Sequence, residues 1–187
     1  MGMTHSEPAP GQKPEPRKNI EIKYQLPDVR TFKAKLRRLA GVSYAYIHHQ
    51  QDIFFDVPEG RLKLRIEEEK PPCLIHYFRT DQARPRPSQF TLTPVDSPRR
   101  TLAELQHRYG VLGKVEKWRE LYWFRNVRIH IDNVRGLGWF VEFESVVSPE
   151  VSERQARKNL DELLADLSPL LGEPQTHSYF DLLHRAP

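Results

Sequence analysis

The chain has 187 residues, 38% hydrophobic and 29% charged, with 29 basic side chains against 25 acidic ones for a net charge of +4. That length carries one domain with a sizeable core, and no apolar run is long enough to cross a bilayer as a helix, so no membrane partner is expected. The single cysteine, Cys73, excludes an internal disulfide and fits a reducing, cytoplasmic setting. So small a basic excess argues against nucleic acid as a partner, where a basic stripe would dominate the surface.

Residues 1–18 are polar and proline-rich and are expected to be a disordered tail, with the folded domain spanning 19–187. Ile20-Glu21-Ile22-Lys23-Tyr24 alternates strictly and predicts a strand. Asp28 then caps a helix through about Ala40, with Val29, Phe32, Leu36 and Leu39 on one face and Gly41 ending it. Strands follow at Gln51–Asp56 and Arg61–Glu68 around the Pro58-Glu59-Gly60 turn, and at Cys73–Thr80 after a break expected at Pro71-Pro72. A basic loop over Asp81–Ser88 leads to a strand at Gln89–Pro94. Pro98 opens a helix that buries Leu102, Leu105 and Tyr109. Three more strands are predicted at Lys114–Trp123, Val127–Asp132 and Trp139–Val147. A helix from about Ser152 to Leu171 turns Leu160, Leu163, Leu164 and Leu167 inward, and a short one takes in Ser178–His184. The pattern is α+β, with a sheet that can curl into a barrel.

Charge recurs at alternate strand positions, and a strand sends alternate side chains to opposite faces. Asn19, Glu21 and Lys23 share one face, as do Arg61, Lys63, Arg65 and Glu67. The same holds for Lys117 with Arg119, for Arg128 with His130 and Asp132, and for Glu142 with Glu144. Any one of these reads equally as the wet face of a half-exposed strand. As a set inside a closed sheet they form a lumen lined by both signs, which is costly unless it binds charge. Lysine and arginine suit phosphate oxygens, and clustered carboxylates suit Mg²⁺ or Mn²⁺. His130 is read either as a substrate contact or as a hydrogen-bonded structural histidine. His48 and His49 are expected at the surface, and Trp118, Trp123 and Trp139 against helices.

Glu21-Ile22-Lys23, Gln51-Asp52-Ile53-Phe54-Phe55-Asp56, Leu64-Arg65-Ile66 and Lys117-Trp118-Arg119 occur in an order that resembles the motifs of the CYTH superfamily, the triphosphate tunnel metalloenzymes. The run from His130 to Glu144 and the ending Ser178–Leu183 are similar too, so the resemblance covers Asn19 to about His184, and it looks closest to the class IV adenylyl cyclase-like branch. It implies an eight-stranded antiparallel β-barrel, or tunnel, with helices packed outside, and a metal-dependent enzyme acting on ATP, tripolyphosphate or thiamine triphosphate. Family members are often homodimers. By resemblance Glu21 and Lys23 are catalytic, Glu21, Asp132, Glu142 and Glu144 hold or orient Mg²⁺ or Mn²⁺, and Lys23, Arg65, Lys117 and Arg119 grip phosphates. Lys63, Arg128 and His130 join the substrate set from their faces. Three departures stand out: Asn19 replaces the usual first glutamate, Glu67 stands where a second basic residue is common, and Arg79 substitutes for a lysine after the Tyr77 strand. Cyclisation, hydrolysis and binding without turnover all remain open at this point.

Overall fold

The computed structural model describes residues 17–79 and 86–184, and of Arg17, Arg79 and residues 86–88 the backbone only. In chain order the elements are β1 (Arg17–Gln25), α1 (Val29–Leu36), β2 (Val42–Phe55), β3 (Arg61–Glu67), β4 (Lys70–Arg79), β5 (Arg86–Pro94), α2 (Pro98–Tyr109), β6 (Val111–Phe124), β7 (Val127–Val134), β8 (Gly138–Val147), α3 (Glu153–Leu167) and α4 (Tyr179–His184). A 3-10 turn at Ser168–Leu170 follows α3. The eight strands close into an antiparallel barrel in the order β1-β5-β4-β3-β2-β6-β7-β8, with β8 returning to β1. The expected fold, an eight-stranded barrel with helices outside, is the one found.

Strand alternation sorts the side chains. The apolar faces of β1, β7 and β8 point outward, and α1 and α3 cover them, packing Phe32, Leu36, Leu160, Leu163 and Leu167 on Ile20, Ile129, Val141 and Phe143. Each such burial contributes about 1.5–3 kcal/mol. Asp28 caps α1, its Oδ1 accepting from Arg30 N at 3.0 Å and Thr31 N at 3.1 Å, and Ser152 Oγ accepts from Gln155 N to start α3. α2 lays Leu102, Leu105 and Tyr109 over Phe55 and Leu64. α4 closes one end of the barrel, where Tyr179 and Phe180 pack with Phe54, Val134 and Phe140. No helix among the described residues is long and apolar enough to cross a membrane.

Several boundaries differ from expectation. β5 starts at Arg86, inside the loop expected over Asp81–Ser88, and α3 ends at Leu167 rather than Leu171, where the 3-10 turn takes over. β1 starts at Arg17 rather than Asn19, while residues 1–16 of the expected tail lie outside the described residues. α1 ends at Leu36 because its last turn tightens into i→i+3 bonds, Arg38 N to Lys35 O and Leu39 N to Leu36 O. β2 begins at Val42, far ahead of Gln51, because β6 pairs with it from Val42 to Phe55. The break expected at Pro71-Pro72 is absent. β4 runs through both prolines, which sit where the β3–β4 register shifts and the ladder makes least use of their missing N–H groups.

Candidate substrate and metal site

The inward faces line a cavity of about 520 Å³. At its centre Asp52, 2% exposed, gathers three cations. Arg65 pairs with it across β2 and β3, donating from Nε to Oδ1 at 2.7 Å and from Nη2 to Oδ2 at 2.8 Å. Lys63 Nζ and Lys117 Nζ also donate to Oδ2, at 2.9 and 3.2 Å. Burial alone would raise the Asp52 pKa; Arg65, then Lys117 and Lys63, hold it well below the carboxylate range. The lysines respond the other way. Burial, reinforced by Arg65, lowers Lys63 to about 7 and Lys117 to about 8. Three cations against one carboxylate leave a surplus of positive charge that an anion would neutralise.

A second network joins β6, β7, β8 and α4. Arg119 donates to both oxygens of the fully buried Asp132, at 2.7 and 2.6 Å, and to Glu142 Oε2 at 3.0 Å. Tyr179 OH donates to Asp132 Oδ2 at 2.7 Å. Burial, then Asp132, pushes the Tyr179 phenol well up, so it remains a donor. Asp132 thus has Arg119 and Tyr179 as partners, where the sequence suggested a metal. Lys23 Nζ lies 4.0 Å over the Tyr179 ring and 3.6 Å from Glu142 Oε1.

The third group faces these from β1, β7 and β8. The register sets Glu21 opposite Glu144 and Lys23 opposite Glu142, and His130 opposite Glu142 and Arg128 opposite Glu144. Arg128 Nη2 forms an ion pair with Glu144 Oε2 at 2.9 Å. With the Asn19 amide assigned from its partners, its oxygen accepts from Arg128 Nη2 at 2.9 Å and its nitrogen donates to Lys18 O. One ligand atom each from His130, Glu142 and Glu144 lie within 4.8 Å of one another. Burial works against ionisation of both glutamates, and the cations outweigh it: Lys23 foremost for Glu142, Arg128 for Glu144. Burial, then Arg119, lowers the His130 pKa and favours the neutral imidazole. Ionised carboxylates beside a neutral imidazole fit a divalent cation.

The structure therefore brings Glu21, Lys23, Lys63, Arg65, Lys117, Arg119, Arg128, His130, Glu142 and Glu144 to one cavity. The Arg79 side chain lies outside what is described, as do residues 80–85 of the basic loop. Sequence reasoning missed Asp52 and Tyr179. Asp52 stands in phase with the buried Gln50 and Phe54 on β2, an available signal; Tyr179 belongs to a six-residue helix with no readable period. His48 is not at the surface: it is 7% exposed and bonds Glu67 through Nδ1 at 3.1 Å. Trp123 lines the cavity rather than meeting a helix, and Trp118 is 48% exposed.

A closed eight-stranded barrel whose lumen carries paired cations and carboxylates defines a tunnel protein built to hold a charged ligand. The sequence model of the CYTH domain matches residues 17–178, and the chain belongs to that family. It is 26% identical over 172 residues to adenylate cyclase CyaB of Aeromonas hydrophila, with 89% of each chain covered. Among solved structures, a protein of Pyrococcus horikoshii OT3 superposes with a TM-score of 0.70 at 22% identity, covering 88% of this chain and 98% of that one. The Hippeastrum protein HpAC1, described as having a dominant triphosphatase activity, superposes with a TM-score of 0.59 at 17% identity, covering 88% and 94%.

Proposed function

We propose that the chain is a metal-dependent enzyme that grips the triphosphate of ATP in its tunnel and carries out adenylyl cyclase-like chemistry. The observation that carries this reading is the convergence of Lys63, Arg65 and Lys117 on the single carboxylate of Asp52. A polyphosphate entering there meets preorganised donors whose charge is already oriented, and such positioning and electrostatics supply most of the rate in phosphoryl chemistry. Arg119, fixed by Asp132, and Arg128 extend the clamp, and Arg79 at the end of β4 is kept as a further phosphate contact. Tyr46, Leu121 and Trp123, on the halves of β2 and β6 away from α4, give an aromatic and apolar wall suited to a nucleoside.

Glu142 and Glu144, with Glu21 beside them, are the proposed metal side, and Asp132 acts there through Arg119. Mg²⁺ or Mn²⁺, when bound, would lower the pKa of the attacking oxygen and screen the leaving pyrophosphate. The ribose 3′-oxygen attacks the α-phosphorus, its bond to phosphorus forming as the bridge to pyrophosphate breaks. Lys23 and Glu21 are the proposed catalytic pair, taking up the 3′-hydroxyl proton as the new bond to phosphorus forms. α4 packs Tyr179 and Phe180 against Phe54, Val134 and Phe140 at its end of the tunnel. A cytoplasmic location belongs to the same reading.

Hydrolysis of tripolyphosphate or thiamine triphosphate is the second reading, favoured by the activity described for the Hippeastrum relative. A product-resolved assay on ATP, thiamine triphosphate and tripolyphosphate with Mg²⁺ and with Mn²⁺ separates the two. Cyclic AMP with pyrophosphate supports the first; orthophosphate supports the second. Tight binding with no product under either metal leaves a binding module and sinks the enzyme claim.

A further inference from the structure

His130 carries a contradiction that the phosphate clamp does not use. The residue is 6% exposed, and its Nδ1 has no hydrogen-bond partner among the described residues. A buried ring nitrogen left unpaired costs about 1–3 kcal/mol, so its place in the fold calls for a ligand. Nδ1 lies 3.7 Å from Glu144 Oε1 and 4.0 Å from Glu142 Oε2. Both distances exceed a hydrogen bond. Both fit two donors on one ion, since two bonds of about 2.1 Å span at most about 4.2 Å. Each carboxylate is also paired with a cation: Arg128 at Glu144 Oε2, Arg119 at Glu142 Oε2, and Lys23 facing Glu142 Oε1.

Resting on the reading of the tunnel as a metal–triphosphate site, we propose that His130 Nδ1 ligates the divalent cation held by Glu142 and Glu144, and that the site therefore takes borderline transition ions such as Mn²⁺, Co²⁺ or Ni²⁺ in preference to Mg²⁺. Mg²⁺ is held almost wholly by oxygen, whereas an imidazole nitrogen suits the later first-row ions. The departure at Asn19 has the same direction. Its neutral amide turns its oxygen to Arg128 and adds no charge beside the carboxylates, and the His130 nitrogen on β7, two strands away, is the further donor there.

Pulsed EPR on the full chain loaded with Mn²⁺ alone tests this directly. The expected result is an echo modulation from directly bound ¹⁴N, converted to the ¹⁵N pattern in protein grown on ¹⁵N-histidine. His130→Gln should abolish it and weaken Mn²⁺ binding by at least on the order of tenfold, with little change for Mg²⁺. The isotope exchange needs no variant, so the result stands even if the substitution disturbs folding. Mn²⁺ bound without nitrogen coupling, or Mg²⁺ bound as tightly as Mn²⁺, overturns the proposal. Calorimetry with metal-free tripolyphosphate, run in parallel, separates the failures. Tripolyphosphate binding without nitrogen coupling removes the histidine ligand and keeps the triphosphate reading; nitrogen coupling without tripolyphosphate binding does the reverse.

Discussion

Asp52 is the side chain on which the basic cluster balances, and its removal has two separable consequences. In Asp52→Asn the partly buried Arg65 and Lys63 and the buried Lys117 lose the only carboxylate, among the described residues, bonded to all three. Breaking one side of a buried ionic network costs about 3–5 kcal/mol, so thermal unfolding should occur at markedly lower temperature. An anion that binds these cations replaces the missing charge. Tripolyphosphate should therefore raise the melting temperature of Asp52→Asn by more than that of the wild type, and equal shifts would mean that phosphate does not reach the cluster. Arg65→Ala removes charge-assisted bonds instead. It should weaken tripolyphosphate binding by about 1.5–3 kcal/mol, roughly ten- to a hundredfold by calorimetry. At this scale the sequence was legible wherever alternation is strict: Glu21, Lys63, Arg65, Lys117, Arg119, Arg128, His130, Glu142 and Glu144 all face the lumen as their phase required. The pairings were not legible. That Asp132 bonds Arg119 and Tyr179, while Asp52 takes three cations, depends on the β2–β3, β2–β6 and β6–β7 registers, which no single strand encodes.

The helices follow the same division. α3 and α1 announced themselves by caps and apolar stripes, because each buries one face on the outside of the barrel. α4 is only six residues long, and its role rests on tertiary contacts: Tyr179 to Asp132, and Ser178 and Asp181 to Arg61 at 2.6 and 2.7 Å. Gly113 shows how closely it docks, since a Cβ there would come within 2.5 Å of His184 and 3.0 Å of Phe180. Tyr179→Phe removes the donor to Asp132 and keeps the packing with Phe140. The expected cost is about 1–3 kcal/mol for the acceptor left with one partner fewer, concentrated in α4. Hydrogen exchange at residues 179–184 should accelerate more than in α3; uniform acceleration across the barrel would show that α4 does not open by itself. Pro71-Pro72 misled for an elementary reason: proline breaks a ladder only where its N–H is needed, and the register shift between Arg65 and Glu67 relaxes that need.

For the molecule as a whole, the lumen lysines tie stability and binding to pH with opposite signs. In the folded, ligand-free protein Lys63 titrates near 7 and Lys117 near 8, against 10.5 for an ordinary lysine. The unfolded chain therefore binds more protons than the folded one above about pH 7, and stability rises with pH through that window. Above about pH 9, the ordinary value of a cysteine thiol, Cys73 acts with the opposite sign: burial raises it, so the unfolded chain loses that proton first. One thiol set against two lysines slows the rise without reversing it. Triphosphate binding requires both ammonium groups charged. Its affinity should fall across the same interval, by up to roughly tenfold per pH unit for each lysine that must be recharged. Near pH 8 each binding event should take up protons, visible as a dependence of calorimetric heat on the ionisation enthalpy of the buffer. Urea unfolding and tripolyphosphate titrations at pH 7, 8 and 9 should thus move apart, with midpoints rising as affinity declines. If stability and affinity rise or fall together, the positive surplus around Asp52 is not what holds the substrate. Opposite slopes that flatten in a Lys63→Met, Lys117→Met double variant would assign the coupling to these two side chains.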